Sequence, residues 1–260
     1  MFAKTFGDVR RGLNLYHVWG YQAYHDITAK YKRTFLGSFW LAGSMVVTSV
    51  SLAVLFGALF HVGLKDALPY VMSGMLAFSM AGYVLSEAPE VFMSSASIIR
   101  NHAYPFSFYL LHAVAKNFLM FLHNIVIFWI IMGLIGAFSI PNWTLLAGLP
   151  VVLLFMLSWG CVAGMIASRF RDMRFMLPYV GQLLSFLTPI FWHPDGLKGL
   201  LLIVVNLNPI YNIVQLVRRP LMGQVATPYE WELAGAYTLI GLLVWFGVFT
   251  AFRRRIAFWV

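Results

Sequence analysis

LGSFWLAGSMVVTSVSLAVLFGALF, residues 36–60, carries no charged side chain over 25 residues. Wound as an α-helix it is about 37 Å long, more than the roughly 30 Å hydrocarbon core of a bilayer. Its apolar residues run on without alternation, which points to a spanning helix and not to a barrel strand. The whole chain agrees. Hydrophobic residues make up 61%, charged residues 10%, and the mean hydropathy is +0.79. A water-facing surface needs about 25% charged residues, so the solvent here is lipid, where helices satisfy their own backbone.

Outward from that run, further apolar stretches lie at 67–85, 108–138, 145–168, 175–192 and 233–252. Residues 12–33 precede the first span. Leu13, Tyr16, Gly20, Ala23, Tyr24, Ile27 and Tyr31 recur there at helical spacing, with Asp26 and Lys30 off that line. This predicts an interfacial amphipathic helix. The first long run lies too deep and is too long for a cleaved signal peptide. The lone cysteine, Cys161, permits neither an internal disulfide nor a multi-cysteine metal site.

The segment 199–217 is long enough to cross but holds Asn206, Asn208, Pro209, Asn212 and Gln215. Basic clusters decide its reading. Lys4, Arg10, Arg11, Lys30, Lys32 and Arg33 precede the first span; Arg169, Arg171 and Arg174 lie between the fourth and fifth; Arg253, Arg254 and Arg255 follow the last. Six spans place all three clusters in the cytoplasm, whereas seven would expel the last. The expected fold is therefore an all-α integral membrane protein with six transmembrane helices and both termini cytoplasmic. Residues 194–219 then form a re-entrant helix pair between spans five and six, tolerable only if buried in protein or lining a wet cavity. The net charge of +9 reads as topology beside anionic lipid and not as a nucleic-acid footprint.

No catalytic set is visible. All nine carboxylates lie outside the spans, which argues against proton coupling. Neither a P-loop nor an HExxH helix occurs, so if the chain pumps, its energy comes from a partner or a gradient. Polar stripes remain. Trp40, Ser44, Thr48 and Ser51 share a face of span one; Ser79, Tyr83 and Ser86 share one of span two; Tyr179, Gln182 and Phe186 share one of span five, beside Ser185. Each alone is explained by hydroxyls bonding their own helix. Together they suggest a wet, uncharged, aromatic path that suits sugars. Lys116 shares a face with His112 and His123; snorkelling explains it, and a lipid pyrophosphate is the functional alternative. Arg218 and Arg219 are candidates for a phosphate contact. The Gly160/Gly164 pair, followed by Ala167, is expected to pack within the subunit.

The run Arg33-Thr34-Phe35-Leu36-Gly37-Ser38-Phe39-Trp40, preceded by Lys30-Tyr31-Lys32, resembles the first-span entrance of membrane subunits of polysaccharide-exporting ABC transporters. Gly43 and Ser44 stand where such entrances carry a proline. Residues 101–105 are similar to the segment before their third span, and Arg171-Asp172 to their loop between spans four and five. Leu207-Asn208-Pro209-Ile210, with Arg218, Leu221 and Gly223 downstream, is similar to their segment after span five, and the tail 253–259 resembles the O-antigen exporters. The resemblance spans nearly the whole chain.

The resemblance implies a homodimer in the bacterial inner membrane with two copies of a cytoplasmic ABC ATPase, which carry ATP and Mg²⁺; this chain binds no cofactor. It implies a cargo on an undecaprenyl-pyrophosphate-type lipid, moving between the subunits. It places the N-terminal amphipathic helix and the segment 87–100, with Glu87, Glu90, Ile98, Ile99 and Arg100, against the ATPase, with Arg171 and Asp172 joining in the coupling. Val91, Phe92, Ile98 and Ile99 offer apolar anchors for such a partner. The rivals are the same fold carrying teichoic acid, capsule, a small lipid or a drug, and, from another class, a multi-pass lipid-modifying enzyme.

Overall fold

The computed structural model describes residues 2–32, 37 and 39–260, and among them every regular element is helical. The entrance residues Arg33 to Leu36 and Ser38 lie outside the described residues. The amphipathic segment expected as one helix over 12–33 is two, α1 (Phe2–Asn14) and α2 (Tyr16–Tyr31). Leu15 breaks them at φ −87° and ψ 23°, and Trp19 Nε1 donates across the joint to Gly12 O at 3.1 Å. α1 also extends the reading upstream, because Thr5, Asp8 and Gly12 form a buried face against α7 and α12.

α3 (Phe39–Phe60) and α4 (Leu64–Ala81) form a hairpin turned by His61, whose φ is 57°. The chain continues through α5 (Tyr83–Ser86), a 3₁₀ turn at Ala88–Glu90 and α6 (Ala96–Asn101). Then come α7 (Phe106–Leu134), α8 (Thr144–Arg169) and α9 (Met173–Leu187). α10 (Leu200–Asn206) and α11 (Pro209–Leu221) meet at a 65° bend. α12 (Pro228–Phe252) ends in a 3₁₀ turn over the three arginines and α13 (Ile256–Trp259).

Local chemistry explains the stops. Asn208 caps α11, its Oδ1 accepting from Ile210 N at 2.9 Å, and Pro209 follows at the first helical position. Thr227 and Glu230 make a reciprocal capping box at the start of α12, again with proline next.

Among the described residues four helices, α3, α7, α8 and α12, are long and apolar enough to cross a membrane, and the bent α10–α11 pair makes a fifth if counted as one span. The expectation of six rested on two further runs that do not meet both requirements as helices. α4 opens with Lys65 and Asp66, and α9 has only 15 residues, against about 20 for a crossing.

Glycines set the packing. A Cβ at Gly148 of α8 would meet Leu216 O of α11 at 2.7 Å, and one at Gly164 would meet Ala88 O at 2.9 Å. Gly160 lies against Tyr83, so the glycine pair packs within the chain, where small residues let backbones approach. α11 is buried nearly all round, with Ile213, Val214, Leu216 and Val217 fully enclosed. That enclosure satisfies the condition for broken helical backbone at membrane depth.

The bundle has two recognisable ends. Thr5 and Thr250 share a hydrogen bond at 3.0 Å, Asp8 meets Arg253 at 3.2 Å, and Arg100 Nη2 donates to Val260 O at 2.6 Å. These place both chain ends, α6 and the start of α7 together. At the far end, Asn142 N donates to Pro220 O at 2.8 Å and Tyr70 Oη to Trp192 O at 3.1 Å.

Candidate translocation face and its two ends

α3 and α9 each leave one face uncovered among the described residues. On α3 this face carries Trp40, 52% exposed, with Ser44, Thr48 and Ser51 also exposed. On α9 it carries Tyr179, 69% exposed, and the exposed Gln182 and Phe186, flanked by Phe175, Leu183 and Leu187. Phe191 ties the two helices together at the far end, its ring 5.9 Å from Phe56 of α3 and 6.1 Å from Phe186 of α9. So the far ends of α3 and α9, 130 positions apart in sequence, lie close together.

Tyr83 does not belong to that side. Its ring is 1% exposed and packs on Gly160 and Ala88. The stripe Ser79, Tyr83, Ser86 assumed one continuous helix. α4 instead stops at Ala81, and Gly82, pressed against the Phe78 ring, resets the chain before α5. Ser79 and Ser86 stay exposed.

The hydroxyl protons of several stripe residues are already committed. Thr48 Oγ1 donates to Ser44 O at 2.8 Å, Ser79 to Leu76 O at 2.7 Å, and Ser185 to Gln182 O at 2.7 Å. Their oxygens keep acceptor capacity. The face therefore offers aromatic rings, acceptors and one amide more than it offers free donors.

At the end carrying the termini, the segment 87–100 is wired into three helices. Glu87 pairs with Lys116 of α7 at 3.5 Å and accepts from Asn117 Nδ2 at 3.4 Å. Lys116 thus has a carboxylate partner, and His112 beside it meets Asp26 of α2 at 3.0 Å. Glu90 faces Arg174 of α9 at 3.9 Å, and Arg174 also lies over the Phe175 ring. Arg171 and Asp172 are exposed in the short turn before α9. Ile98 and Ile99 are half-buried and Arg100 is exposed. Val91 and Phe92 cannot serve as anchors for a partner, because both are core residues packed with Phe108, Cys161 and Met165. The periodicity of so short a segment did not reveal which apolar pair turned inward.

Asp8 was not visible as a key residue in the sequence. It is buried, accepts from Phe106 N at 3.3 Å and Ser107 N at 3.0 Å, and holds Arg253. It therefore caps α7, whose own N-cap is Pro105 and supplies no side-chain bond. A single acid within the basic run Lys4 to Arg11 was the only signal. Around this end Lys4, Arg10, Arg11, Arg253 and Arg254 line a groove of about 590 Å³.

At the far end the two arginines part company. Arg219 Nε meets both oxygens of Glu230, at 3.0 and 2.9 Å, so α11 is bolted to the start of α12. Arg218 is 1% exposed and donates from Nη1 to Pro189 O at 2.7 Å, with its guanidinium 4.2 Å from the Tyr70 ring centroid. Gly74 of α4 makes room for it, since a Cβ there would collide with Nη2. Among the described residues no group of His, Cys, Asp and Glu could hold a metal ion.

No curated protein matches the sequence. Residues 24–222 match the family model for the ABC-2 type transporter, a stretch that runs from α2 through α11 and takes in both open faces, the segment 87–100 and Arg218. That family comprises membrane permeases that work with an ABC ATPase. A multi-pass helical bundle, with four or five candidate spans and a family match over most of its length, belongs to the ABC-2 type transporter family and is a transmembrane component of an ABC exporter.

Proposed function

We propose that the chain is one half of a homodimeric permease in the bacterial inner membrane. It exports a lipid-linked, O-antigen-like polysaccharide, and two cytoplasmic ATPase subunits holding ATP and Mg²⁺ drive it. The observation that carries this reading is the uncovered aromatic side formed by Trp40, Tyr179 and Phe186, with Gln182 between the last two. Two copies related by a two-fold axis enclose a path when these sides face each other. Sugar rings present C–H faces to aromatic π clouds and hydroxyls to the remaining acceptors.

In this reading α3, α4, α7, α8, α9 and α12 make six crossings. Support comes from the two ends of the bundle: α12 runs from Glu230, beside Arg219, to Thr250, beside Thr5, and α9 from Arg174, beside Glu90, to Phe186, beside Phe191. The charged start of α4 is compatible with crossing because α4 is largely enclosed by protein. The arginine clusters put the termini in the cytoplasm. ATPase closure would push on 87–100 and on Arg171–Asp172, and the Glu90–Arg174 pair hands that push to α9.

The test is to replace Tyr179 and Phe186 together by alanine. Surface polysaccharide should fall sharply while protein abundance is unchanged; undiminished export sinks the reading. A small lipid cargo is favoured by one observation, the exposed alkyl side chains Leu183 and Leu187 on the same face. It predicts instead that Leu183→Ser is the damaging change.

A further inference from the structure

At the end carrying the termini, an apolar groove of about 500 Å³ runs between α7, α8 and α12. Val9 and Leu13 of α1 and Trp19 of α2 cover its near end, where Gly12 lets α1 sit directly on Ser107. Along α7 the groove extends from Ser107 to Phe118, about 16 Å of helix. That depth matches one leaflet, half of the roughly 30 Å hydrocarbon core. Ser107 has the one hydroxyl among the described residues of the lining, and it is spent on Asp8 O at 2.9 Å; the Trp19 indole N–H is spent on Gly12 O at 3.1 Å. Leu13 is 51% and Leu154 45% exposed, so the groove opens sideways.

The helix that roofs this groove is basic on its other side. Lys4, Arg10 and Arg11 of α1 line the neighbouring groove with Arg253 and Arg254. Asp8 is the only acid among residues 1–25, and Arg253 and two N–H groups of α7 already occupy it. Lys4, Arg10, Arg11 and Arg254 therefore have no carboxylate within ion-pair distance among the described residues. Arg10 is exposed and stands one helical turn from both Phe6 and Leu13, which brings a cation to the open edge of the roof. Uncompensated basic residues beside a bilayer attract anionic headgroups.

We propose that this groove binds one acyl chain of an anionic phospholipid from the leaflet at the termini, with the lipid phosphate on Arg10. Shape and charge select this occupant together. The apolar walls suit an alkyl chain and offer nothing to a sugar or an extended peptide, whose polar groups would be buried unpaired. A zwitterionic headgroup would leave the basic edge uncompensated, whereas an anionic one gains a charge-assisted contact. The bound chain packs against α1 and α7 at once, so the lipid helps to hold the interfacial helix on the bundle. The site is independent of what the transporter exports.

The test places the full chain in phosphatidylcholine nanodiscs with rising fractions of a phosphatidylglycerol that carries a mid-chain diazirine. Light-driven adducts are mapped by peptide mass. Adducts on 107–118 should rise to a plateau, half-reached near one phosphatidylglycerol to about five phosphatidylcholines, the preference of about fivefold expected from one basic contact. Adducts at Val126 and Ile130, exposed on α7 beyond the groove, should rise in proportion without a plateau. Arg10→Gln, an exposed substitution that leaves the core alone, should move the half-point to about equal fractions. Ala115→Trp, which fills the groove from its half-buried wall, should remove the plateau. Proportional uptake at 107–118 in the parent, a plateau that survives Ala115→Trp, or a half-point that Arg10→Gln leaves in place overturns the proposal. Displacement by undecaprenyl phosphate at a lower fraction than by unlabelled phosphatidylglycerol also overturns it and makes the groove a cargo site. A parent that takes up no lipid there but loses its dimer on Ala115→Trp overturns it too, and makes the groove a subunit interface.

Discussion

Replacing Asp8 by alanine removes three interactions at once. Asp8 is buried, accepts from two backbone N–H groups at the start of α7, and meets Arg253 at 3.2 Å with the two side chains only 4% and 11% exposed. Loss of a helix N-cap costs about 1 kcal/mol. Stranding one partner of a buried ion pair costs about 3–5 kcal/mol. The two terms overlap, so the expected loss is about 4 kcal/mol and not their sum. Arg253→Leu should cost less, because Asp8 would still be solvated by the two N–H groups and the positive end of α7. The double variant should lose less than the sum of the singles, since neither charge is left alone. Chemical unfolding in mixed micelles reads all three stabilities. A double-mutant coupling energy indistinguishable from zero, or an Asp8→Ala variant as stable as the parent, would refute the argument that the two chain ends are fastened together through α7.

Three further outcomes follow from the geometry. Gly164→Val places a side chain where Ala88 O lies 2.9 Å from an ideal Cβ; overpacking of this kind costs about 1–3 kcal/mol, measured as a lower unfolding midpoint with no oligomeric change. Glu90→Lys puts like charges across the link to Arg174, and should reduce export more than it reduces stability, because a half-exposed pair contributes roughly 0–1 kcal/mol; Glu90→Lys with Arg174→Glu should restore export. His193 is pushed below its ordinary 6.5 by burial, with the nearby Arg218 in the same direction and Asp195 opposing. A histidine with a depressed folded pKa takes up protons more readily when unfolded, so its contribution to stability is lost as pH falls below 6.5. Protection factors against hydrogen exchange at 188–195, taken relative to the intrinsic rate at each pH, should therefore fall on acidification, and His193→Gln should flatten that response.

Much of this architecture was legible because lipid as a solvent leaves few options. The apolar run at 36–60 and those behind α7, α8 and α12 became helices within a few residues of their expected bounds. What escaped depended on tertiary neighbours. Tyr83 fell out of its stripe because Gly82 interrupts the helix, a break that periodicity cannot register. Arg218 and Arg219 are adjacent in sequence, yet one is paired with Glu230 and the other is sealed against Tyr70, since neighbouring helix positions point about 100° apart. Gly74 carried no signal at all; only the folded chain shows that an arginine from α11 needs the space above it.

The reading of α9 as the wall of a wet path, and not as a lipid-facing helix, is open to one direct measurement. The chain has a single cysteine, Cys161, and it is buried, so a cysteine placed on α9 reports alone. In cells carrying the transporter with its ATPase, Gln182→Cys should react with a membrane-impermeant, charged thiol reagent, and the modified protein should stop delivering polysaccharide to the surface. A thiol at 182 that stays inert to the charged reagent but reacts with an apolar one places that face in lipid and contradicts the account.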